Sequence, residues 1–452
     1  MPVLKSINPY DPTRVINHPQ LSDLELTVKL GRANSAYKNF SGRDMSFREK
    51  VMNKMAELLR EHSGEYARII TTEMGKPLRE AEAEVKKCAW LCKYYAENAA
   101  GFLNERVVLT EADHSRVIFR PLGAILAIMP WNYPFWQVLR CAVPALMAGN
   151  TVLLKHASNV QGCATALEKV FLDAGFSEGV FQNLALSSDR VAGVIASEYV
   201  KGIALTGSEA AGRAVAAQAG LHLKPCVLEL GGNNAFVVLN DANQDLALNI
   251  ALPARLQNGG QSCIAAKRFI LERWIAEDFV PALQQRLSNL VIGDPMDPAT
   301  DIGPLSSVKQ AREVEGQVKR SVAMGARLLQ GGHRDKAFFE PALISGVKPG
   351  MPLFDEEVFG PVFSISEAGS VDEALELSNR SLFGLGMQVF TQSDELIERF
   401  VEEADEGAVF INTMVKSDPR LPFGGIKNSG YGRELALEGI RAFVNVKTIW
   451  ID

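Results

Sequence analysis

The stretch 257–266, QNGGQSCIAA, sets Cys263 behind two glycines and a small serine and ahead of an apolar run. Gly259 and Gly260 let the backbone bend where a side chain would block it, so the thiol reads as presented at the start of an element. A presented thiol can attack a carbonyl carbon; the plainer reading is a small residue of the core. Nucleophilic chemistry also asks for a base and for donors to an oxyanion. Four further groups fall at the ends of elements: Pro130-Trp131-Asn132, the run Lys155, His156, Ala157 and Ser158, Thr206-Gly207-Ser208 with Gly212, and Glu229-Leu230-Gly231-Gly232. Glu229 ends a buried apolar strand, where loss of water lifts a carboxyl pKa towards neutrality and suits it to general-base work. A structural or capping carboxylate is the alternative there. Gly207-Ser208 opens a helix, whose first N–H groups suit a pyrophosphate; the same pair serves equally as a helix cap.

A strand-helix alternation that begins at Pro121 carries these groups. Apolar runs at 124–129, 151–154, 181–186, 202–205 and 227–229 are expected strands, with helices between them such as 161–174. A second alternation has strands at 236–239, 267–272, 361–365 and 407–411 and helices at 246–257, 276–290, 307–324 and 371–379. Such patterns predict parallel sheets covered by helices, with ligands at the strand C-termini. Ahead of them, 24–36, 46–60, 64–74 and 78–100 read as helices, with Ser46 and Glu49 as a capping box and Gly75 as a stop before Pro77. The segments 107–109, 115–120 and 443–451 alternate like strands but have no near partner, which fits an arm between subunits or plain edge strands.

Composition narrows the class. The 452 residues are 47% hydrophobic and 22% charged with a formal net charge of −6, which is globular and gives no basic footprint for nucleic acid. The N-terminus has no apolar signal region and no window approaches a membrane span, so a cytoplasmic protein that does not partner membranes is expected. The six cysteines then read as reduced thiols. Histidines and cysteines show no metal spacing, so no metal is expected.

Taken together, the ordered motifs resemble one family, the NAD(P)-dependent aldehyde dehydrogenases. They run from INPYDP through EMGKP (73–77), PWNYP (130–134), LTGS (205–208), ELGG (229–232), GQSC (260–263) and EEVFGPV (356–362) to PFGGIKNSGYGRE (422–434). KHASN (155–159) and MVKSDPRLPFGG (414–425) are most similar to the short bacterial and cyanobacterial succinate-semialdehyde dehydrogenases. The resemblance implies an α/β fold with a Rossmann-like cofactor domain (1–102 and 122–230), a catalytic domain (231–430) and a small β oligomerisation arm with a C-terminal strand (103–121 and 431–452). It implies Cys263 as nucleophile, Asn132 with the Cys263 N–H as oxyanion donors, and Glu229 as the base that activates water.

The cofactor positions it implies are Trp131, Asn132, Lys155, His156, Ala157, Ser158, Gly207, Ser208, Leu230, Glu357 and Phe359. NAD-preferring relatives carry a glutamate at the position of Ser158, so NADP is the expected cofactor and NAD the second; the alternative has Ser158 capping the next helix. Trp136, Arg140, Ser262, Ser417 and Arg420 are the implied substrate residues, with Arg140 receiving a carboxylate or else forming a structural ion pair, and Arg255 a further candidate. Glu434 matches a second family glutamate, and Cys141 stands where many relatives have a proton-relaying lysine, so a relay through that helix is not implied. The implied enzyme is a homodimer or homotetramer that oxidises succinate semialdehyde. The rivals are another aldehyde, a CoA-acylating relative, which would lack the glutamate at 229, and a protein that keeps the fold without turnover. A low-pKa thiol at Cys263 would also be open to oxidation.

Overall fold

The computed structural model describes residues 3–452, so the first two residues of the expected cofactor domain lie outside it. Two mostly parallel sheets organise the chain. The six-stranded sheet has the order Gly430–Tyr431, Cys226–Glu229, Val200–Thr206, Ala124–Met129, Thr151–His156, Phe181–Asn183. Only Gly430–Tyr431 runs antiparallel, against Cys226–Glu229. The run AILAIM is apolar throughout because helices cover both faces. Ile125, Ala127 and Met129 pack towards the helices Met45–Glu61, Leu78–Phe102 and Trp136–Met147. Ala124 and Leu126 pack towards Asp23–Phe40 and Glu209–Leu221.

The seven-stranded sheet has the order Arg327–Gln330, Ala342–Ser345, Val362–Ala368, Arg268–Glu272, Ala235–Val238, Met387–Phe390, Val409–Ile411, with Arg327–Gln330 antiparallel. On one face Phe390, Phe236, Phe269 and Phe363 form a row across four neighbouring strands, with centroids 4.6, 4.7 and 5.1 Å apart. That row lies under the helices Gln244–Leu256 and Arg273–Leu287. The C-terminal strand Val444–Ile451 finds its partner in His114–Pro121, paired antiparallel from Val444↔Pro121 to Ile451↔His114, with Arg106–Val107 on the other edge. The expected α/β class with a small β arm is therefore the observed one.

Some expectations fail for identifiable reasons. Ser46 and Glu49 do not form a capping box: Asp44 accepts the Phe47 N–H at 3.1 Å and starts the helix Met45–Glu61, and the Ser46 hydroxyl donates back to Asp44. The capping box is instead Ser22 with Glu25, opening Asp23–Phe40. The hairpin of Val3–Ile7 with Val15–Pro19, the strands Ala342–Ser345 and Met387–Phe390, and the helix Asp394–Glu403 were not expected. Gly430–Tyr431, placed at the boundary of the arm by sequence, closes the edge of the first sheet.

Buried charge locks the helical layer to the sheet. The Glu73 carboxylate accepts the N–H groups of Gly162 (2.8 Å) and Cys163 (2.9 Å) and the Ser6 hydroxyl (2.6 Å), neutralising the start of helix Gln161–Asp173. Glu84 does the same for helix Trp136–Met147, accepting the Phe135 and Trp136 N–H groups at 2.9 Å each while it pairs with Lys76. Lys76 in turn sits 3.8 Å above the Tyr133 ring. Both side chains of that pair are buried, at 0% and 1% exposure, so neither charge has water to fall back on. Glu84→Gln strands the Lys76 ammonium and is expected to cost about 3–5 kcal/mol, read as a lowered urea midpoint; an unchanged midpoint would mean the pair holds nothing.

Candidate active site

The cysteine loop lies between helix Gln244–Leu256 and strand Arg268–Glu272. Its backbone turns through left-handed Asn258 (φ 55), Gly259 (φ 61) and Gly260 (φ 76). Asn258 uses its side-chain amide to hold the turn, donating to Asn132 O at 2.8 Å and to Gln261 O at 3.0 Å. Asn132 donates to the same Gln261 carbonyl at 3.1 Å, so the PWNYP loop and the cysteine loop are one hydrogen-bonded unit. From below, Lys267 donates to Ser262 O (2.9 Å) and Cys263 O (2.8 Å) and stands 3.4 Å from Glu357. A Cβ at Gly260 would meet the Gly360 backbone at 2.5 Å, so this glycine also permits the close approach of two loops.

Cys263 sits where two cavities meet. One, of about 540 Å3, is lined by Lys87, Trp136, Arg140, Ser262, Ser417 and Phe423 among others. The other, of about 280 Å3, is lined by Trp131, Asn132, Gly207, Ser208, Leu230, Glu357 and Phe359. Cys263 and Gln137 line both. In the smaller cavity Trp131 and Phe359 meet edge to face at 5.8 Å. Glu357 is held there by the Gly232 N–H at 2.9 Å and by Lys267. Ser208 caps helix Glu209–Leu221, accepting the Ala211 N–H at 3.3 Å, and so places a helix N-terminus on the cavity wall.

Glu229 is 2% exposed and its Oε1 has no hydrogen-bond partner. Burial pushes its carboxyl well above the usual carboxylate range; Arg140 pulls it down and Glu434 pushes it up. Burial likewise pushes the Cys263 thiol up to about 11, against the pull of Arg140 and Lys267. The expected low-pKa thiol is thus overturned for the free protein, because desolvation outweighs both cations, and the oxidation liability inferred from it loses its basis. Glu434 is buried and ion-paired with the Nε of Arg140. Arg140 also donates to Thr206 at 3.3 Å and lies over the Phe423 ring at 4.4 Å.

Several expected residues sit elsewhere. The His156 ring is fully buried, its Nε2 against Pro134 O at 2.9 Å and its Nδ1 accepting the Ala157 N–H at 3.0 Å. Burial lowers its pKa to about 4, so it is a neutral brace for the PWNYP loop and offers no side chain to a cofactor. Ala157 and Ser158 follow in a turn, and Ser158 is exposed. Helix Gln161–Asp173 has no side-chain cap, so the capping role for Ser158 is not observed; Glu73 does that work. Lys155 is buried at the end of its strand, with its pKa lowered by desolvation. Arg420 pairs with Asp418 at 2.7 Å, lies 5.5 Å from the Trp90 ring and does not line the larger cavity. Arg255 is spent on backbone carbonyls of the EEVFGPV loop, Val362 at 2.5 Å and Val358 at 3.0 Å, and cannot receive a substrate. Cys141 is an inert core thiol. Sequence reading missed Asn258 and Lys267. The signal for Asn258 was an asparagine beside two glycines, a left-handed turn in waiting.

The aldehyde dehydrogenase family model matches residues 2–449. The chain belongs to that family. This aldehyde dehydrogenase is 44% identical over 451 residues to a probable succinate-semialdehyde dehydrogenase [NADP(+)] of Synechocystis sp., covering 99% of each chain. It is 44% identical over 459 residues to succinate-semialdehyde dehydrogenase [NADP(+)] 1 of Mycobacterium tuberculosis, covering 100% of each. Among solved structures it superposes on succinic semialdehyde dehydrogenase from Streptococcus pyogenes, determined with NADP+, at a TM-score of 0.97 with 38% identity and 99% of each chain covered. A structure described for cofactor and substrate selection by Gox0499 gives 0.98 with 40% identity and 100% of each covered. The two sheets and the β arm are the aldehyde dehydrogenase fold, and its substrate is a small aldehyde. None of the helices among the described residues is long and apolar enough to cross a membrane.

In the aldehyde dehydrogenase without ligands, alkylation of Cys263 by iodoacetamide is expected to accelerate with pH up to an inflection near 11. An inflection below the ordinary thiol range would show that Arg140 and Lys267 outweigh burial.

Proposed function

We propose that this aldehyde dehydrogenase oxidises succinate semialdehyde to succinate, with NADP as preferred cofactor and NAD as the second. The observation that carries the reading is the position of Cys263 and Gln137 on the walls of both cavities, so that one thiol faces an aldehyde from one side and a cofactor from the other. The names of the relatives support the substrate and the cofactor.

In this reading the Cys263 sulfur adds to the aldehyde carbon and its proton passes to Glu229, the buried carboxylate whose charge acts on Cys263. The new oxyanion takes hydrogen bonds from the Asn132 amide and the Cys263 N–H. NADP, held by the residues of the smaller cavity, would supply the acceptor for the hydride of this carbon. The acyl group then remains on Cys263 as a thioester. Glu229, having released the first proton to solvent, takes a proton from water, the hydroxide oxygen bonds to the acyl carbon, and the C–S bond breaks, freeing succinate and leaving the Cys263 sulfur as thiolate. A CoA-acylating enzyme would have no use for that carboxylate.

The residues fit the cofactor. Trp131, Leu230, Glu357 and Phe359 line the cleft, and Gly207 with Ser208 at a helix N-terminus would offer N–H groups to a pyrophosphate. Ser158 is exposed beside Lys155 and brings no negative charge against a 2′-phosphate, which the lysine can pair with. We assign the first sheet to the cofactor, the second to the cysteine loop, and the arm Arg106–Val107, His114–Pro121 and Val444–Ile451 to a homodimer or homotetramer, with Val107, Val446, Trp450 and Ile451 exposed on it. All six cysteines are free thiols, which supports a cytoplasmic protein.

Two measurements test the assignment. Ser158→Glu should lower the NADP-to-NAD ratio of kcat/KM by about tenfold or more, and an unmoved ratio would remove the cofactor argument. Glu229→Gln should slow both the first release of reduced nucleotide and the steady-state turnover, the latter about 10²–10⁴-fold. In the wild type, hydrolysis should rise with pH through a value above the usual carboxylate range and level off once Glu229 is ionised. A Glu229→Gln enzyme with full steady-state turnover would exclude this glutamate as the base.

A further inference from the structure

Helix Leu78–Phe102 brings to the cysteine loop a carboxylate that no step of the proposed reaction uses. Glu80 stands on the wall of the larger cavity, and its Oε2 accepts the Asn258 N–H at 2.6 Å. Among the described residues that is the one hydrogen bond its carboxylate makes. The cations beside it in sequence are committed elsewhere, Lys76 to Glu84 and Arg79 to Asp301 at 2.6 Å. Desolvation pushes the Glu80 carboxyl up; the Asn258 N–H pulls it down more than Lys76 or Arg79 does, and Asp301 pushes it up. A carboxylate placed in the cleft without an ion pair is thus given over to a single backbone N–H.

Asn258 needs that acceptor. It is 1% exposed, follows the last turn of helix Gln244–Leu256 and is left-handed, with φ 55. A buried N–H without a partner would favour any loop conformation that turned it towards water. The other polar groups of Asn258 all hold the site. Its amide donates to Asn132 O and Gln261 O, and its carbonyl accepts the Gln261 backbone N–H and side-chain amide at 3.1 Å each. The Gln261 carbonyl fixed in this way also takes one N–H of the Asn132 amide, which leaves the other N–H for an oxyanion. Cys263, whose backbone N–H is the second donor, follows Gln261 by two residues.

We propose that Glu80 is a positioning residue for the oxyanion donors: by accepting the Asn258 N–H it fixes the left-handed turn that aims Asn132 and the Cys263 backbone. It acts through Asn258 and not on the reacting atoms. The inference rests on the proposed roles of Cys263 and Asn132. An oxyanion forms when sulfur adds to the aldehyde and again when water attacks the thioester, so a loosened turn would slow both steps. Glutamine at this position keeps an acceptor oxygen for the N–H; leucine keeps none.

The test uses the full-length enzyme with NADP and whichever of succinate semialdehyde and butanal the wild type oxidises faster. Glu80→Leu should lower kcat and the rate of the first NADPH release about ten- to a hundredfold, while KM and the Kd of NADP stay close to wild type. Glu80→Gln should regain most of that loss; a glutamine variant as slow as the leucine one would overturn the hydrogen-bond account. The deciding comparison is with Asn132→Ala. If Glu80 works through the oxyanion donors, Glu80→Leu/Asn132→Ala should be within about twofold of Asn132→Ala alone, and losses that multiply would refute the proposal. So would a Glu80→Leu enzyme with wild-type kcat, or one altered mainly in KM, which would make Glu80 a substrate contact. A wild-type kcat in Asn132→Ala would instead overturn the oxyanion reading itself. Should Glu80→Leu fail to fold, Glu80→Asp, which keeps the charge but stops one methylene short of the N–H, carries the same comparison with the same two outcomes.

Discussion

Arg140 carries a charge at 1% exposure, and the rest of the active site is arranged about it. A guanidinium cannot shed its proton in a protein, so burying one commits the fold to a counter-charge. Glu434 supplies it, reached only because the last part of the chain returns over the first sheet, where Gly430–Tyr431 pairs with Cys226–Glu229. That return places a second carboxylate, Glu229, within the field of the same cation and leaves it without a partner of its own. One cation between two buried carboxylates can fully satisfy only one of them. Burial pushes the unpaired one well above the usual carboxylate range, so that once ionised it accepts a proton readily, as activation of water requires.

Holding the thiol against this group is a problem of backbone, since Cys263 is on the other sheet's connection. Asn258 solves it by taking a left-handed turn and using its amide on two carbonyls, one of them in the PWNYP loop. Lys267 fixes the other side by capturing the carbonyls of Ser262 and Cys263. These bonds spare the loop the entropy of searching for its position at each turnover. Glu84 plays the same part for the opposite wall: it binds the first N–H groups of helix Trp136–Met147 and so fixes Trp136, Gln137 and Arg140 relative to helix Leu78–Phe102.

Much of this was legible in the sequence, for physical reasons that can be named. Strands with continuous apolar runs, such as 124–129, were read to the residue because burial on both faces leaves no alternative composition. Cys263, Glu229 and Asn132 were legible as reactive types at element ends. The short strands Ala342–Ser345 and Met387–Phe390 were not, since four residues give no period and their pairing is decided by distant chain. Ionic state was least legible. The partners of two cavity cations lie far along the chain: Glu434 follows Arg140 by 294 positions, and Ser417 follows Lys87 by 330. Likewise His156 stood in a cofactor motif, yet its ring is spent on a neighbouring loop.

The proposed reaction would use the position of Cys263 on a wall shared by both cavities. The reacting carbon has to be bonded to sulfur and open to a hydride acceptor at the same moment, so substrate and cofactor cannot arrive by one route without blocking each other. Two routes meeting at Cys263 remove the conflict, and they also separate two electrostatic demands. The smaller cavity has a helix N-terminus at Gly207 and Ser208 on its wall. The larger cavity is walled mostly by apolar and aromatic groups, with Arg79, Lys87 and Arg140 also on its lining. A free cation next to the sulfur would stabilise the thiolate and the thioester's leaving group, but it would also draw the substrate carboxylate onto the nucleophile. Pairing Arg140 with Glu434 keeps the pull of its charge on Cys263 while occupying its Nε with a carboxylate of the protein itself.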